Sequence, residues 1–355
     1  MPFTSLGLSP SLLIALSDQK YNAPFPIQIQ AIPAILNRKD VLGIAPTGSG
    51  KTAGYVLPIL MNLQGNTSTK NRHVNVLVLV PTRELSVQVG EVFNIFSKYL
   101  PQKIKTMAVY GGVSINPQLM GMQGVNVLVA TPGRLLELID SNAVHLSQID
   151  TLVFDEADKM LNLGFAEEMN KIFALLPIKR QNLLFSATLS DDVNNINQVL
   201  LRKPLVIKIE EEILNINLIS QIGYFVSEEN KGPLLRYLIR QNNIKQVLVF
   251  ASSVYKADNV SDKLRKNGID AMAIHSKKSQ GARTEALSKF KSGKLRVLVA
   301  TDLMARGIDI KNLPHVINYE LPRSPKDYIH RIGRTGRAES PGEAISFISP
   351  DDQHH

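Results

Sequence analysis

The chain has 355 residues, 44% of them apolar and 20% charged, which is ordinary globular composition with room for two domains. It has no cysteine, which excludes a disulfide framework, a thiol nucleophile and any Cys-containing zinc site while leaving the compartment open. No apolar run approaches the ~18 residues that cross a bilayer, so no membrane partner is expected.

Residues 1–20 carry no basic residue ahead of the short apolar stretch 12–16, so a signal peptide is not expected and a cytoplasmic protein is. Forty Lys and Arg against 31 Asp and Glu give a net charge of +9. The imbalance is concentrated late: residues 231–355 hold 22 of the cations and 12 of the acids. So basic a body fits a polyanion partner, and equally a merely soluble basic surface.

In chain order, the first strong signal is a short apolar strand at 41–44 followed by Ala45-Pro46-Thr47-Gly48-Ser49-Gly50-Lys51-Thr52 and a helical pattern. Gly43 lies five positions before Gly48, so the spacing is AxTGxGKT rather than GxxxxGKT. Such glycines let backbone N–H groups turn inward around phosphate oxygens. Lys51 then neutralises the β/γ phosphates, and the Thr52 hydroxyl ligates Mg²⁺. A glycine-rich turn with an incidental lysine is the bland alternative, disfavoured by the strand before and the helix after.

Strands are expected at 74–80, 125–130, 151–154 and 182–185, each short, continuous and rich in Val, Leu, Ile or Phe, as strands covered on both faces are. Helical patterns at 83–99, 134–139 and 165–176 lie between them, and a polar surface loop at 65–72 interrupts the first half. Alternation of this kind indicates parallel sheets with crossover helices. Asp155-Glu156-Ala157-Asp158 closes the strand at 151–154, where a carboxylate faces the ligand crevice. Asp155 can hold Mg²⁺ through water and Glu156 can deprotonate the attacking water; an acidic helix cap is the alternative.

A boundary is expected at 210–219, where Glu210, Glu211 and Glu212 sit among polar residues, dividing domain 1 (1–209) from domain 2 (220–355). Beyond it come strands at 246–250, 295–300 and 315–318 and a helix at 254–266. Val76-Leu77-Val78 recurs at 247–249, and Val-Leu-Val-Ala-Thr at 127–131 recurs at 297–301. Two matches at nearly one offset favour two similar sheets in tandem. Last, His330-Arg331-Ile332-Gly333-Arg334-Thr335-Gly336-Arg337 places Arg334 and Arg337 three apart, each after a glycine. They resemble paired arginine fingers for a γ-phosphate; an exposed basic loop is the alternative.

Taken together, the chain resembles a DEAD-box RNA helicase of superfamily 2. The resemblance rests on 21–28, 45–52, Pro81-Thr82-Arg83-Glu84-Leu85, Gly111-Gly112, Thr131-Pro132-Gly133-Arg134, 155–158 and Ser186-Ala187-Thr188. It continues through 249–251, Gln280 with Arg283, Ala300-Thr301-Asp302, 305–309 and 330–337, in the family's order. Residues 278–283 suggest the bacterial RhlE-like subgroup.

The resemblance implies an α/β fold of two tandem RecA-like domains, each a mainly parallel sheet flanked by helices, with ATP and Mg²⁺ as cofactors. It assigns Gln28 to reading adenine and Phe3 to stacking on it, with a surface helix residue and a hydrophobic anchor as the respective alternatives. Thr47, Gly48, Ser49, Gly50, Lys51 and Thr52 hold the phosphates, and Asp309 the ribose. Pro81, Thr82, Arg83, Gly112, Thr131 and Arg134 would line the RNA path on domain 1, and Gln280, Arg283, Thr301 and Asp302 on domain 2. Asp158, Ser186, Thr188 and His330 would couple hydrolysis to RNA.

The implied activity is that of an ATP-dependent RNA helicase, a monomer that binds single strands and locally opens short duplexes. An ATP-dependent RNA clamp or remodelling ATPase without productive unwinding is the alternative. Three departures stand out: Lys20 for a usual Gly, Pro46 for a common Gln, and Phe25 for a usual Thr. The last is expected to weaken coupling to the phosphate loop. The chain also stops at His355, short of the family's final helix, which fits a trimmed chain and a naturally short core alike.

Overall fold

A computed structural model describes residues 1–46, 48–64, 72–210, 218–302, 313–322, 324–336, 341–350 and 352. The chain divides into two compact units, Met1–Glu211 and Glu212–His355.

The first unit contains strands β1 (Val41–Ile44), β2 (Val76–Leu79), β3 (Thr106–Val109), β4 (Val127–Ala130), β5 (Thr151–Phe154), β6 (Gln181–Ser186) and β7 (Leu205–Lys208). They form one sheet in the order β3-β4-β2-β5-β6-β1-β7. The second unit contains β8 (Ile219–Phe225), β9 (Val247–Phe250), β10 (Ala271–Ile274), β11 (Val297–Ala300), β12 (His315–Asn318) and β13 (Gly342–Ile348), in the order β10-β11-β9-β12-β13-β8. Every pairing in both sheets is parallel.

The tandem repeat seen in the sequence is a structural one. Val76 pairs with Val127 where β2 meets β4, and Val247 pairs with Val297 where β9 meets β11. In each unit the Val-Leu-Val-Ala strand lies beside the Val-Leu-Val strand, and on its far side lies a strand the sequence did not announce, β3 or β10.

Strands of four residues hold because both faces are covered. Val76 and Val78 face one core cluster while Leu77 and Leu79 face the other. Burying each such side chain contributes about 1.5–3 kcal/mol, against a spread of about 1 kcal/mol in strand propensity. Packing therefore decides the strand. The second unit repeats the plan with Val247 and Val249 on one face and Leu248 and Phe250 on the other.

The expected helices are observed at Arg83–Ser97, Pro132–Asp140, Ala166–Ala174 and Val254–Lys266. Thr82 caps the first, its hydroxyl accepting from the Leu85 N–H at 3.3 Å. Lys20 takes φ 60°, a left-handed turn where the family's usual glycine costs nothing. Among the described residues no helix is long and apolar enough to cross a membrane.

Candidate functional site

In the first unit the chemistry-bearing residues follow the C-terminal ends of parallel strands, where ligand crevices of such sheets form. The loop after β1 leads into the helix Lys51–Leu63, with Gly50 as its N-cap at φ 86°. A Cβ on Gly50 would lie 2.6 Å from Gln28 Nε2 and 2.7 Å from Phe25 Cδ2, so the loop admits only glycine there. Gly43 lies inside β1, and a Cβ on it would strike the Phe185 ring at 2.5 Å, so that glycine serves sheet packing.

Lys51, 7% exposed, donates to Ala45 O at 2.5 Å and Pro46 O at 3.2 Å. Burial pushes its pKa down, opposed by the Asp155 and Glu156 carboxylates. Burial likewise pushes the Asp155 carboxyl up, against the pull of Lys51. Glu156 is raised by burial too, with Lys159 as the main opposing charge. Three charges stripped of water stand together, which is how a phosphoryl-transfer site is built.

Glu156 itself takes φ 56°, ψ 48°, a left-handed conformation that costs a non-glycine residue about 1–3 kcal/mol. Its Oε1 accepts from Lys159 Nζ at 2.6 Å, while Oε2 is buried without a hydrogen-bond partner, as is Ser49 Oγ. Thr188 Oγ1 donates to Asp158 Oδ2 at 3.3 Å, joining β6's exit to the acidic segment. The Ser186 hydroxyl bonds elsewhere, accepting from Thr188 N at 3.4 Å.

The two residues assigned to adenine are both buried. Phe3 is 6% exposed and packs in the core of the first unit. Gln28 is fully buried, with Oε1 accepting from Phe25 N at 2.9 Å and Nε2 donating to Gly50 O at 3.0 Å. Its amide braces the phosphate loop in this conformation. Coupling of that segment to the loop therefore persists despite Phe25, through Gln28 and the Phe25 ring edge.

The RNA-path residues of unit one form a second cluster. Pro81 is buried, Thr82 is a helix cap, and Thr131, 8% exposed, is the N-cap residue of Pro132–Asp140. The Arg83 guanidinium lies over Gly112, where a Cβ would come within 2.0 Å of Nη2. Arg134, 5% exposed, donates to Val113 O and to Glu137 Oε2, both at 2.8 Å. Arg134 thus holds the Gly112 loop rather than facing outward.

In unit two, Gln280 opens the helix Gln280–Lys291 and accepts from Arg283 Nη2 at 2.6 Å. Thr301 and Asp302 follow β11, but the Asp302 carboxylate is occupied by Arg331, at 2.6 Å and 2.7 Å. His330 is exposed near the end of the helix Pro325–Ile332. Arg334, 9% exposed, follows in a turn fixed by its N–H to Arg331 O and by Leu313 N–H to its own carbonyl. Thr47, Asp309, Arg337 and most of the expected linker, 211–217, lie outside the described residues.

Three residues of the site escaped the sequence reading: Tyr55, Lys159 and Arg331. Tyr55 and Lys159 each fall three positions after an assigned residue on a helix, Thr52 and Glu156, and that spacing was a signal available to find them.

A tandem pair of parallel α/β sheets with a phosphate loop and an acidic strand end defines a two-unit nucleotide-dependent enzyme class. Comparison with known proteins narrows it. The DEAD/DEAH box helicase model matches residues 25–196, and the Helicase conserved C-terminal domain model matches residues 230–339. "ATP-dependent RNA helicase CshA" of Limosilactobacillus reuteri is 38% identical over 356 aligned positions, covering 100% of this chain and 70% of that protein. "DEAD-box ATP-dependent RNA helicase CshA" of Bacillus cereus is 38% identical, covering 98% of this chain and 65% of its own.

Among solved structures, a Saccharomyces cerevisiae Dbp5 variant bound to RNA and ADP BeF3 aligns with a TM-score of 0.84 at 30% identity, covering 99% of this chain and 90% of that one. A DEAD box protein from Methanococcus jannaschii aligns at 0.56 and 35% identity, covering 100% and 94%. The chain belongs to the DEAD-box helicase family of superfamily 2 and has its two RecA-like domains. It spans about two thirds of the length of the curated relatives it matches. Those relatives carry the CshA name, which does not bear on the RhlE-like subgroup.

Proposed function

We propose that this chain is an ATP-dependent RNA helicase: a monomeric, cytoplasmic, RNA-stimulated ATPase that grips single-stranded RNA and opens short duplexes locally. The observation that carries this reading is the buried set Lys51, Asp155 and Glu156 at the strand ends of unit one.

Lys51 is withdrawn onto two backbone carbonyls and is available to exchange them for phosphate oxygens. Ser49 Oγ, buried without a partner, is a ready donor for the same phosphates. The hard oxygens of Thr52 and Asp155 suit Mg²⁺, which needs only one or two carboxylates when phosphates complete its shell. Mg²⁺ bound there supplies charge neutralisation of the phosphates. Glu156, with one oxygen anchored by Lys159 and the other unpartnered, orients and deprotonates a water for in-line attack. Arg334 and Arg337 supply guanidinium charge to the γ-phosphate, and Asp309 holds the ribose.

RNA contacts are assigned to Thr82, Arg83, Gly112 and Thr131 on unit one, and to Gln280, Arg283 and Thr301 on unit two. They meet backbone rather than bases. Thr188 and Asp158, already bonded to each other, carry the coupling, with Ser186 and His330.

The test separates this from a clamp that holds without opening. A short RNA duplex with a single-stranded tail is mixed with the chain, with and without ATP. Strand release with ATP supports the helicase; ATP-dependent binding without release supports the clamp.

A further inference from the structure

Tyr55 lies one helical turn after Thr52, fully buried, with its ring against Phe185 at a centroid separation of 5.3 Å. Its hydroxyl donates to Asp155 Oδ2 at 2.8 Å. That bond ties the helix after β1, which carries Thr52 one turn earlier, to the end of β5. Thr52 and Asp155 are the two groups assigned above to the metal.

We infer that Tyr55 is the positioning residue of the Mg²⁺ site, its hydroxyl holding the Asp155 carboxylate against the helix that carries Thr52, in the spacing that Mg²⁺·nucleotide requires. The inference rests on the nucleotide-site reading above. Mg²⁺ demands near-ideal octahedral geometry, so a ligand pair free to separate binds it poorly. Without the bridge, the Asp155 carboxylate would lose a charge-assisted bond inside the protein. Partners behind metal ligands commonly cost 10–100-fold in metal affinity when removed. Nothing else in the core demands the hydroxyl: the ring alone fills the space against Phe185.

Tyr55→Phe keeps the ring and deletes the bridge. The experiment titrates wild type and variant with a fluorescent N-methylanthraniloyl-ADP, first in EDTA and then across a MgCl₂ series. The expected result is metal-free affinity within about twofold of wild type and a half-saturating Mg²⁺ concentration raised about tenfold or more. Equal Mg²⁺ dependence in variant and wild type overturns the inference, as does a loss of affinity that is the same in EDTA and in Mg²⁺, which marks a merely structural role.

Phe185→Leu removes the ring contact and keeps the bridge. It should leave the Mg²⁺ dependence unchanged, and a shift as large as that of Tyr55→Phe overturns the inference. Failure of wild type to bind the analogue under either condition overturns the nucleotide-site reading itself.

Discussion

Asp302 and Arg331 are locked together by two charge-assisted bonds, Nε to Oδ1 at 2.6 Å and Nη2 to Oδ2 at 2.7 Å. Arg331 Nη1 adds Asn318 Oδ1 at 3.1 Å and Glu320 O at 2.6 Å, and the guanidinium lies 4.9 Å from the Phe250 ring centroid. The segment leaving β11, which carries Thr301, is thereby fastened to the helix that leads into Arg334. RNA engagement and γ-phosphate stabilisation, as proposed, share one rigid piece.

Arg331→Lys keeps the charge and loses the planar fork, which is not a conservative exchange at a bidentate site. RNA-stimulated turnover is expected to fall about tenfold or more, a loss of about 1.4 kcal/mol in transition-state stabilisation. Binding of nucleotide to unit one should be unchanged. Steady-state ATPase assays with saturating RNA, alongside nucleotide titration, check both.

Gly112 sits at φ 72° with the Arg83 guanidinium over it. Gly112→Ala adds a methyl group that must displace Arg83 and pays the left-handed penalty of about 1–2 kcal/mol per residue. RNA affinity should weaken several-fold while nucleotide affinity holds. Fluorescence anisotropy with a labelled single strand, at stated ionic strength because phosphate contacts are salt-sensitive, measures it.

Glu228 ties Lys231 and Lys256 at the start of the helix Glu228–Gln241. Burial pushes the Glu228 carboxyl up, but the hydrogen bonds from Lys231 and Lys256 prevail and its pKa is lowered from 4.5. A depressed folded value means the unfolded chain binds the proton first. The stability contributed is therefore present above about 4.5 and is lost as pH falls below it. Glu228→Gln should flatten that acid limb in thermal melts. It should also cost stability at neutral pH, because among the described residues Lys231, 1% exposed, keeps only Asp352 at 3.8 Å as an ion pair. Lys231→Met should cost less.

Much of this architecture was legible before any coordinates. Continuous apolar runs such as 151–154 and 315–318 announce strands buried on both faces, and the phosphate loop and acidic strand end declare themselves by residue type and spacing. β3, β7, β8, β10 and β13 did not: Thr106–Val109 is half-buried, β7 exposes Leu205, Val206 and Lys208, β8 alternates irregularly, and β10 and β13 are built partly on small residues, Ala271, Ala273, Gly342 and Ala344. β3, β7, β8 and β10 are edge strands, and the first three lack the continuous hydrophobicity that marks a central one.

Within the site, residue identity gave the roles of Lys51, Asp155 and Glu156 but not which partner each side chain would choose. Gln28, Arg134 and Asp302 are spent on Gly50, Val113 and Arg331, bonds that depend on tertiary proximity and leave no spacing in the chain.

The account turns on Glu156 as the base of an RNA-stimulated hydrolysis. The most direct measurement is ATP turnover by wild type and Glu156→Gln, each with and without single-stranded RNA. Wild type should be strongly stimulated by RNA. The variant should fall by about 10²–10⁴-fold while retaining or tightening RNA binding with ATP. Turnover indifferent to RNA, or undiminished in the variant, would contradict it.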